Sequence, residues 1–288
     1  MIVAWDETNV KPQNTNGRTF RELREHYEIE KQLADKLRMA SREERGRLYA
    51  SSYDELFLRV PHHPQNTRKG NMEVRRRVTA GQLKLLQQFI RPDTIFMEIG
   101  PGDCSLSMEL TKRVARVFAI DVSKEITASQ KRPANFELIL SDGSSIPVPR
   151  NSVSVAYSYQ LMEHLHPDDA LEQVRNIHAA LIPGGYYVCI TPNRLSGPHD
   201  ISKYFDLVAS GFHLKEYLTC ELADIFKVVG FSKVNVCIGI KGLYFRLPVL
   251  PIRWIETGLM ALPWRLQRRL AGLFPLQPLL GINIIAIK

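Results

Sequence analysis

The stretch Phe96-Met97-Glu98-Ile99-Gly100-Pro101-Gly102-Asp103-Cys104 constrains this chain more than any other. An apolar run from Thr94 to Met97 ends in an acid, and two glycines follow, two residues apart. Ser105-Leu106-Ser107-Met108-Glu109-Leu110 then opens a helical pattern. That order predicts strand, tight turn and helix, with a turn short of Cβ atoms so that a ligand reaches the backbone. Ser105 stands where a dinucleotide-binding turn carries its third glycine, so Gly100-x-Gly102-x-x-Ser105 is a poor pyrophosphate cradle.

Strand and helix patterns alternate from there on, which predicts an α/β fold: a doubly wound, mostly parallel sheet with helices on both faces. Seven strands are expected. One ends at Ile99, and others run from Arg116 to Ile120, Phe136 to Leu140, Val153 to Ser158, Tyr186 to Thr191 and Val234 to Ile240. The last, antiparallel strand covers Ile282 to Ile287 and is apolar but for Asn283, as a buried strand is. Helices are expected from Cys104 to Val114, after Ser123, along a stripe of Leu171, Val174 and Leu181, and from Thr219 to Val229, where Gly230 supplies a cap. Ahead of the sheet, Thr19 with Glu22 and Ser41 with Glu44 form capping boxes, and a third helix runs from Met72 to Ile90 before Arg91-Pro92. Residues 1–18 are polar and read as a loose arm. The division that follows is a helical cap over residues 1–91 and a core over 92–288.

Of 288 residues, 44% are hydrophobic and 24% charged, the make-up of a soluble globular protein. The formal charge of +8 gathers in the N-terminal third and in residues 243–280, where five arginines face one glutamate among two tryptophans and five prolines. So uneven an excess points away from a nucleic-acid partner. Trp264 to Leu273, with Arg265, Arg268 and Arg269, reads as a short amphipathic helix. It suits a membrane surface or a lipid-linked substrate, and equally a substrate lid or a subunit interface. No run of about 20 apolar residues could span a bilayer, and Met1 to Val10 carries Asp6 and Glu7 rather than an apolar leader. The four cysteines lie far apart, as reduced, buried thiols would. These features predict a cytoplasmic protein, at most peripheral at a membrane, and leave the oligomeric state open. No metal site is expected, and His62 and His63, between prolines, read as turn residues.

Acids recur at strand ends. Asp121 follows Gly102 by nineteen residues, where open α/β sheets place an acid that accepts two ribose hydroxyls. Asp142-Gly143 ends the third strand, with a plain turn as the competing account. Tyr159 follows the fourth.

With Glu98-x-Gly100-x-Gly102, Asp121, Asp142 and the segments Leu161-Met162-Glu163-His164-Leu165 and Gly211-Phe212-His213-Leu214-Lys215-Glu216-Tyr217, the chain resembles the class I S-adenosylmethionine-dependent methyltransferases of small-molecule or saccharide type. The likeness spans about residues 94–240 and returns at the final strand. It implies a Rossmann-like methyltransferase fold and S-adenosyl-L-methionine as cofactor, bound by Glu98, Gly100, Pro101, Gly102, Asp121, Val122, Asp142, Gly143 and Tyr159. In this reading Glu98 accepts from the cofactor's amino group, Asp121 holds the ribose, Asp142 meets the adenine amine, and the Tyr159 ring faces the sulfonium. Cys104 departs from the family, which often has glycine there. The implied reaction is an in-line displacement at a methyl carbon, most simply onto oxygen with a histidine as base. His164, His199 (beside Asp200) and His213 (ahead of Glu216) are the candidates. The loop from Thr191 to Tyr217 is similar to those of enzymes acting on saccharide or glycolipid intermediates, so the acceptor is expected to be a small molecule or a carbohydrate. Two other readings stay open: a nicotinamide-dependent reductase on a similar sheet, and a catalytically silent cofactor-binding module that docks a partner.

Overall fold

The computed structural model describes residues 15, 17–64, 72–123, 132–240 and 243–288. The helix expected after Ser123, and all but three residues of the arm, lie outside them. Thr19 and Ser41 each accept a backbone N–H from the glutamate three residues on, while that glutamate accepts the cap's own N–H, and so start α1 (Phe20–Met39) and α2 (Arg42–Arg59). Next come α3 (Met72–Leu86), β1 (Ile95–Ile99), α4 (Ser105–Leu110), β2 (Arg116–Asp121), β3 (Phe136–Leu140) and β4 (Val153–Tyr159). They are followed by α5 (Pro167–Ala180), β5 (Leu181–Thr191), α6 (Thr219–Val229), β6 (Lys233–Ile240) and β7 (Leu243–Pro248). Helices α7 (Val249–Met260), α8 (Trp264–Ala271) and α9 (Leu276–Leu280) lead into β8 (Ile282–Ile287).

The strands form one mixed sheet in the order β3-β2-β1-β4-β5-β8-β6-β7. β1 to β5 are parallel to one another, and β8 is antiparallel to both its neighbours. The chain order reverses between β1 and β4, and crevices at such switch points are where open α/β sheets bind ligands.

The sheet has eight strands rather than seven. β7 pairs antiparallel with β6, so the insertion at 243–280 begins as a hairpin arm. Its side chains are mostly exposed, so the buried-strand pattern that marks the others is missing. β5 begins five residues earlier than its apolar run suggests. Leu181 already pairs with Val153, Pro183-Gly184-Gly185 lies in an irregular stretch, and pairing resumes at Tyr186 with Val155. Leu181 therefore belongs to the strand and not to the helical stripe, because its backbone is extended. α3 stops at Leu86 and α4 spans only six residues, both shorter than periodicity predicts.

Helices α1, α2, α5 and α6 share an apolar core on one face of the sheet, and α3 and α4 cover the other. Two buried connections tie the N-terminal helices down. Arg45 of α2 donates to both oxygens of Asp169 on α5 at 2.6 and 2.7 Å, and Tyr49 donates to the same carboxylate at 2.7 Å. From α1, Arg38 donates to the carbonyls of Ser210 and Gly211, and Glu30 accepts from the Phe212 N–H. The long loop after β5 is thus pinned by residues more than 170 positions earlier. Helices α7 to α9 build a small apolar cluster with Leu195 and Leu218. Glu256, the one acid of the insertion, is fully buried and accepts from Asn193 and from the Thr219 and Cys220 N–H groups at the start of α6. All four cysteines are buried free thiols. No helix among the described residues is long and apolar enough to cross a membrane.

Candidate functional site

The turn after β1 is held in a left-handed conformation at three places: Gly100 (φ +66°), Gly102 (φ +56°) and Cys104 (φ +57°). The Cys104 backbone accounts for the glycine expected at that position, since a side chain there carries a cost of about 1–2 kcal/mol. A Cβ on Gly100 would press to 3.0 Å of Leu161, whereas one on Gly102 would meet nothing within 4 Å. Gly102 therefore opens onto space. Pro101 is buried, and its carbonyl accepts from the Cys104 N–H to close the turn.

Glu98, second from the end of β1, is buried and accepts from Ser107 Oγ of α4 at 2.5 Å. Burial, with the charges of Asp103 and Asp121, pushes its carboxyl up to about 8. Asp121, at the tip of β2, accepts only from backbone N–H groups just beyond it, and burial raises its carboxyl to about 6. Neither acid forms an ion pair among the described residues. Two carboxyls held above their ordinary range beside an open turn suit a ligand carrying hydroxyl donors and positive charge. Val122 packs against the main core.

Asp142 and Gly143 are placed differently. Asp142 Oδ1 accepts from the Ser144 and Ser145 N–H groups and from Ser144 Oγ, so the turn takes one oxygen and leaves Oδ2. Burial is outweighed by those bonds, which hold the carboxyl below its usual range. Gly143 is closed to a ligand, a correction to its expected role. A Cβ there would come to 2.7 Å of the Tyr49 ring, its N–H goes to Ser141 Oγ, and its carbonyl accepts from Gln173. Its glycine character serves the seating of α2.

Beyond β4 stands a wall of titratable groups. Tyr159 is 39% exposed at the strand tip. Glu163 is fully buried: Oε2 accepts from Thr191 Oγ1 at 2.7 Å, while Oε1 has no hydrogen-bond partner. His164 Nδ1 lies 3.1 Å from the Phe212 carbonyl, which can only accept, so that nitrogen carries the proton; Tyr53 Oη lies 2.8 Å from the same atom. Burial, and His213 beside it, push the His164 imidazole down to about 3. His213 is buried with Nδ1 2.7 Å from Glu216 Oε1. Burial opposes its protonation, but the Glu216 bond and the charges of Asp200 and Glu163 raise it above its ordinary value. His199 does not couple to Asp200 as its position suggests. Its Nδ1 lies 3.3 Å from Glu216 Oε2 and its N–H donates to Oε1, whereas Asp200 is occupied by Ser202, Gly211 and His213 N–H groups. Against burial, the two imidazoles hold Glu216 down at about 2.

Sequence reasoning passed over Glu163, Glu216, Tyr49 and Tyr53 as site residues. Each is unremarkable in its own segment, and only the tertiary fold brings Tyr53 to His164, Glu163 to Thr191, Glu216 to His199 and Tyr49 to Gly143. Arg75 of the Arg75-Arg76-Arg77 run pairs with Asp103 at 2.8 Å, so part of that run braces the glycine turn.

Residues 97–189 match the methyltransferase domain family. A probable S-adenosylmethionine-dependent methyltransferase of Mycobacterium tuberculosis is 28% identical over 193 residues, 66% of each chain. A Mycolicibacterium smegmatis protein of the same description is 28% identical over 138 residues, 47% of this chain and 51% of the relative. The matches thus span about half to two thirds of the curated relatives' lengths. A solved complex of the Haloferax volcanii Trm112 methyltransferase activator with a methyltransferase aligns at TM-score 0.53 and 16% identity, over 77% of this chain and 94% of that one, a likeness of fold. The chain is thus similar to S-adenosylmethionine-dependent methyltransferases, with the family match confined to residues 97–189.

Proposed function

We propose that this chain is a class I methyltransferase that moves the methyl group of S-adenosylmethionine to a hydroxyl oxygen of a small or carbohydrate-type acceptor, glycolipids included. The observation that carries the reading is adjacency. Carboxyls with no ion pair among the described residues stand at the tips of β1 and β2 and flank an open glycine turn, and a histidine–carboxylate wall stands at the tip of β4, the strand beside β1. Glu98, Gly102 and Asp121 fit the cofactor, with Asp142 Oδ2 and Tyr159 at its margins. The cofactor, when bound, supplies an electrophilic methyl group on a sulfonium.

The chain's own residues then have two tasks. Asp121 and Glu98 fix the donor's position, and most of the acceleration in such a displacement comes from alignment. The wall of Glu163, His164 and His213 receives the acceptor oxygen and removes its proton. Glu216 joins His213 to His199 through its two oxygens, so this pair of imidazoles is where we place that proton. His164, pushed down to about 3, stays a neutral imidazole at neutral pH and positions rather than titrates.

A surface feature favours a membrane-borne acceptor. Trp254, Phe274, Leu273 and Leu250 of the insertion are 69, 82, 51 and 54% exposed. With Glu256 buried, the formal charge on that face is wholly arginine. Apolar side chains interleaved with arginine are the make-up of an interfacial surface on anionic lipid.

Incubation of the protein with methyl-labelled cofactor and fractionated cell extract tests the reading. Label is expected in the carbohydrate or lipid fraction as an ether stable to mild base. Cofactor binding with no labelled product in any fraction would instead leave a silent binding module.

A further inference from the structure

We propose that Glu163, His164 and His213 bind a divalent transition-metal cation. The inference rests on reading this wall as the acceptor site, and it assigns the wall a means of acidifying the acceptor.

One ligand atom from each of the three residues lies within 4.8 Å of the others. Bonds of about 2.0–2.2 Å to a common ion would place them roughly 3.0–3.5 Å apart, a gap that small side-chain rotations close. Two further observations point to a cation. Glu163 Oε1 belongs to a fully buried side chain and has no donor, a state that is costly unless something satisfies it. Both imidazoles are also fixed from behind: His164 Nδ1 on the Phe212 carbonyl, His213 Nδ1 on Glu216. Metal-bound histidines are held in this way, with the rear N–H on a carbonyl or carboxylate and the other nitrogen presented to the ion. On both rings the printed contacts use Nδ1, so Nε2 is the nitrogen the proposal gives to the ion. With both rings neutral and the Glu163 carboxyl ionised, as metal binding requires, two ring nitrogens and one carboxylate oxygen would form an all-acceptor cluster. A water, with two hydrogens, cannot serve all three.

A second cluster shows the contrast. His26, Glu30 and His63 are equally close, but His26 spends Nδ1 on Arg18 and Nε2 on Glu30, and Glu30 also accepts from Phe212. No lone pair of His26 is left to ligate.

Two imidazoles and a carboxylate suit zinc, manganese, iron(II) or cobalt rather than calcium or magnesium. Three protein ligands leave coordination positions open, the pattern of catalytic rather than structural sites. A hydroxyl oxygen entering one of them is acidified by the ion. His199, on the other oxygen of Glu216, then takes the proton. The oxygen forms its bond to the methyl carbon as the carbon–sulfur bond breaks, and the sulfur leaves as a neutral thioether.

The test is titration of the chelator-treated full chain with Co²⁺, followed by its visible d–d absorption, with S-adenosylhomocysteine affinity measured on the same samples. Wild type is expected to bind one equivalent. Glu163→Gln and His213→Gln should each lose tenfold or more in Co²⁺ affinity while S-adenosylhomocysteine binds as before, and His26→Gln should bind Co²⁺ as wild type does. No stoichiometric binding by wild type, or undiminished binding by Glu163→Gln, overturns the proposal. Should Glu163→Gln fail to bind S-adenosylhomocysteine through misfolding, His213→Gln decides by the same criteria. If wild type binds Co²⁺ but not S-adenosylhomocysteine, the metal site stands and the methyl-transfer reading falls.

Discussion

Two regions of the molecule treat their carboxylates in opposite ways. At the tips of β1 and β2, Glu98 and Asp121 are held above their ordinary range by burial, with no ion pair among the described residues. Beyond β4, Glu216 is held down at about 2 by two imidazoles, and in the brace between α2 and α5 Asp169 lies below its ordinary value, burial being outweighed by bonds from Arg45 and Tyr49. One region is incomplete until a ligand brings donors and charge. The other is completed by the protein itself, apart from one oxygen of Glu163. Binding and stability should therefore separate between the two regions.

The largest expected effect comes from the internally paired region. Arg45→Ala strands the Asp169 charge and should cost about 3–5 kcal/mol of unfolding free energy in urea titration, as breaking buried pairs does. Glu98→Gln is the counterpart. It removes a buried carboxyl with no ion pair, so stability should change by less than about 1 kcal/mol while S-adenosylhomocysteine affinity drops. Equal destabilisation by the two variants would break the contrast. Next, Asp121→Ala should weaken S-adenosylhomocysteine binding by about 1.5–3 kcal/mol, the worth of hydrogen bonds to a charged group. An unchanged dissociation constant removes Asp121 from the site.

The pH dependence sharpens the same distinction. Asp121 has a folded-state value of about 6 against 3.8, so the folded chain holds this proton more tightly than the unfolded one. Its contribution to stability improves as pH falls from about 6 to 4, and is lost as pH rises through 6. Cofactor affinity should move the other way, weakening below pH 6 as the carboxylate is protonated. Calorimetric affinity at pH 7 and 5, beside urea midpoints of the ligand-free chain, checks both signs; Asp121→Asn should flatten both trends. The smallest effect belongs to Cys104→Gly. Relief of a left-handed backbone, about 1–2 kcal/mol, is set against lost thiol burial and the flexibility of glycine. The net change in urea should stay within about 1 kcal/mol of zero.

Local signals carried most of the fold and placed the acids and glycines of the proposed cofactor site at their strand ends. Capping boxes, the glycine turn and acids at strand ends are read within a few residues, and Thr19, Ser41, Glu98 and Asp121 all stand where their patterns place them. β7 escaped because an exposed edge strand lacks the apolar run that marks a buried one. The acceptor wall was only half legible. Its histidines could be named, but not their partners, since Tyr53 reaches His164 from 111 residues away and His199 meets Glu216 rather than the adjacent Asp200. Gly143 misled for a similar reason. The ring that excludes its side chain is Tyr49, a tertiary neighbour that no local pattern reveals.

A crystal structure of the chain with S-adenosylhomocysteine tests the central claim most directly. The account predicts both ribose hydroxyls on the Asp121 carboxylate, the ligand's backbone-facing edge over Gly102, and its sulfur turned toward the tip of β4. Ligand bound elsewhere, with Asp121 and Glu98 untouched, would contradict it.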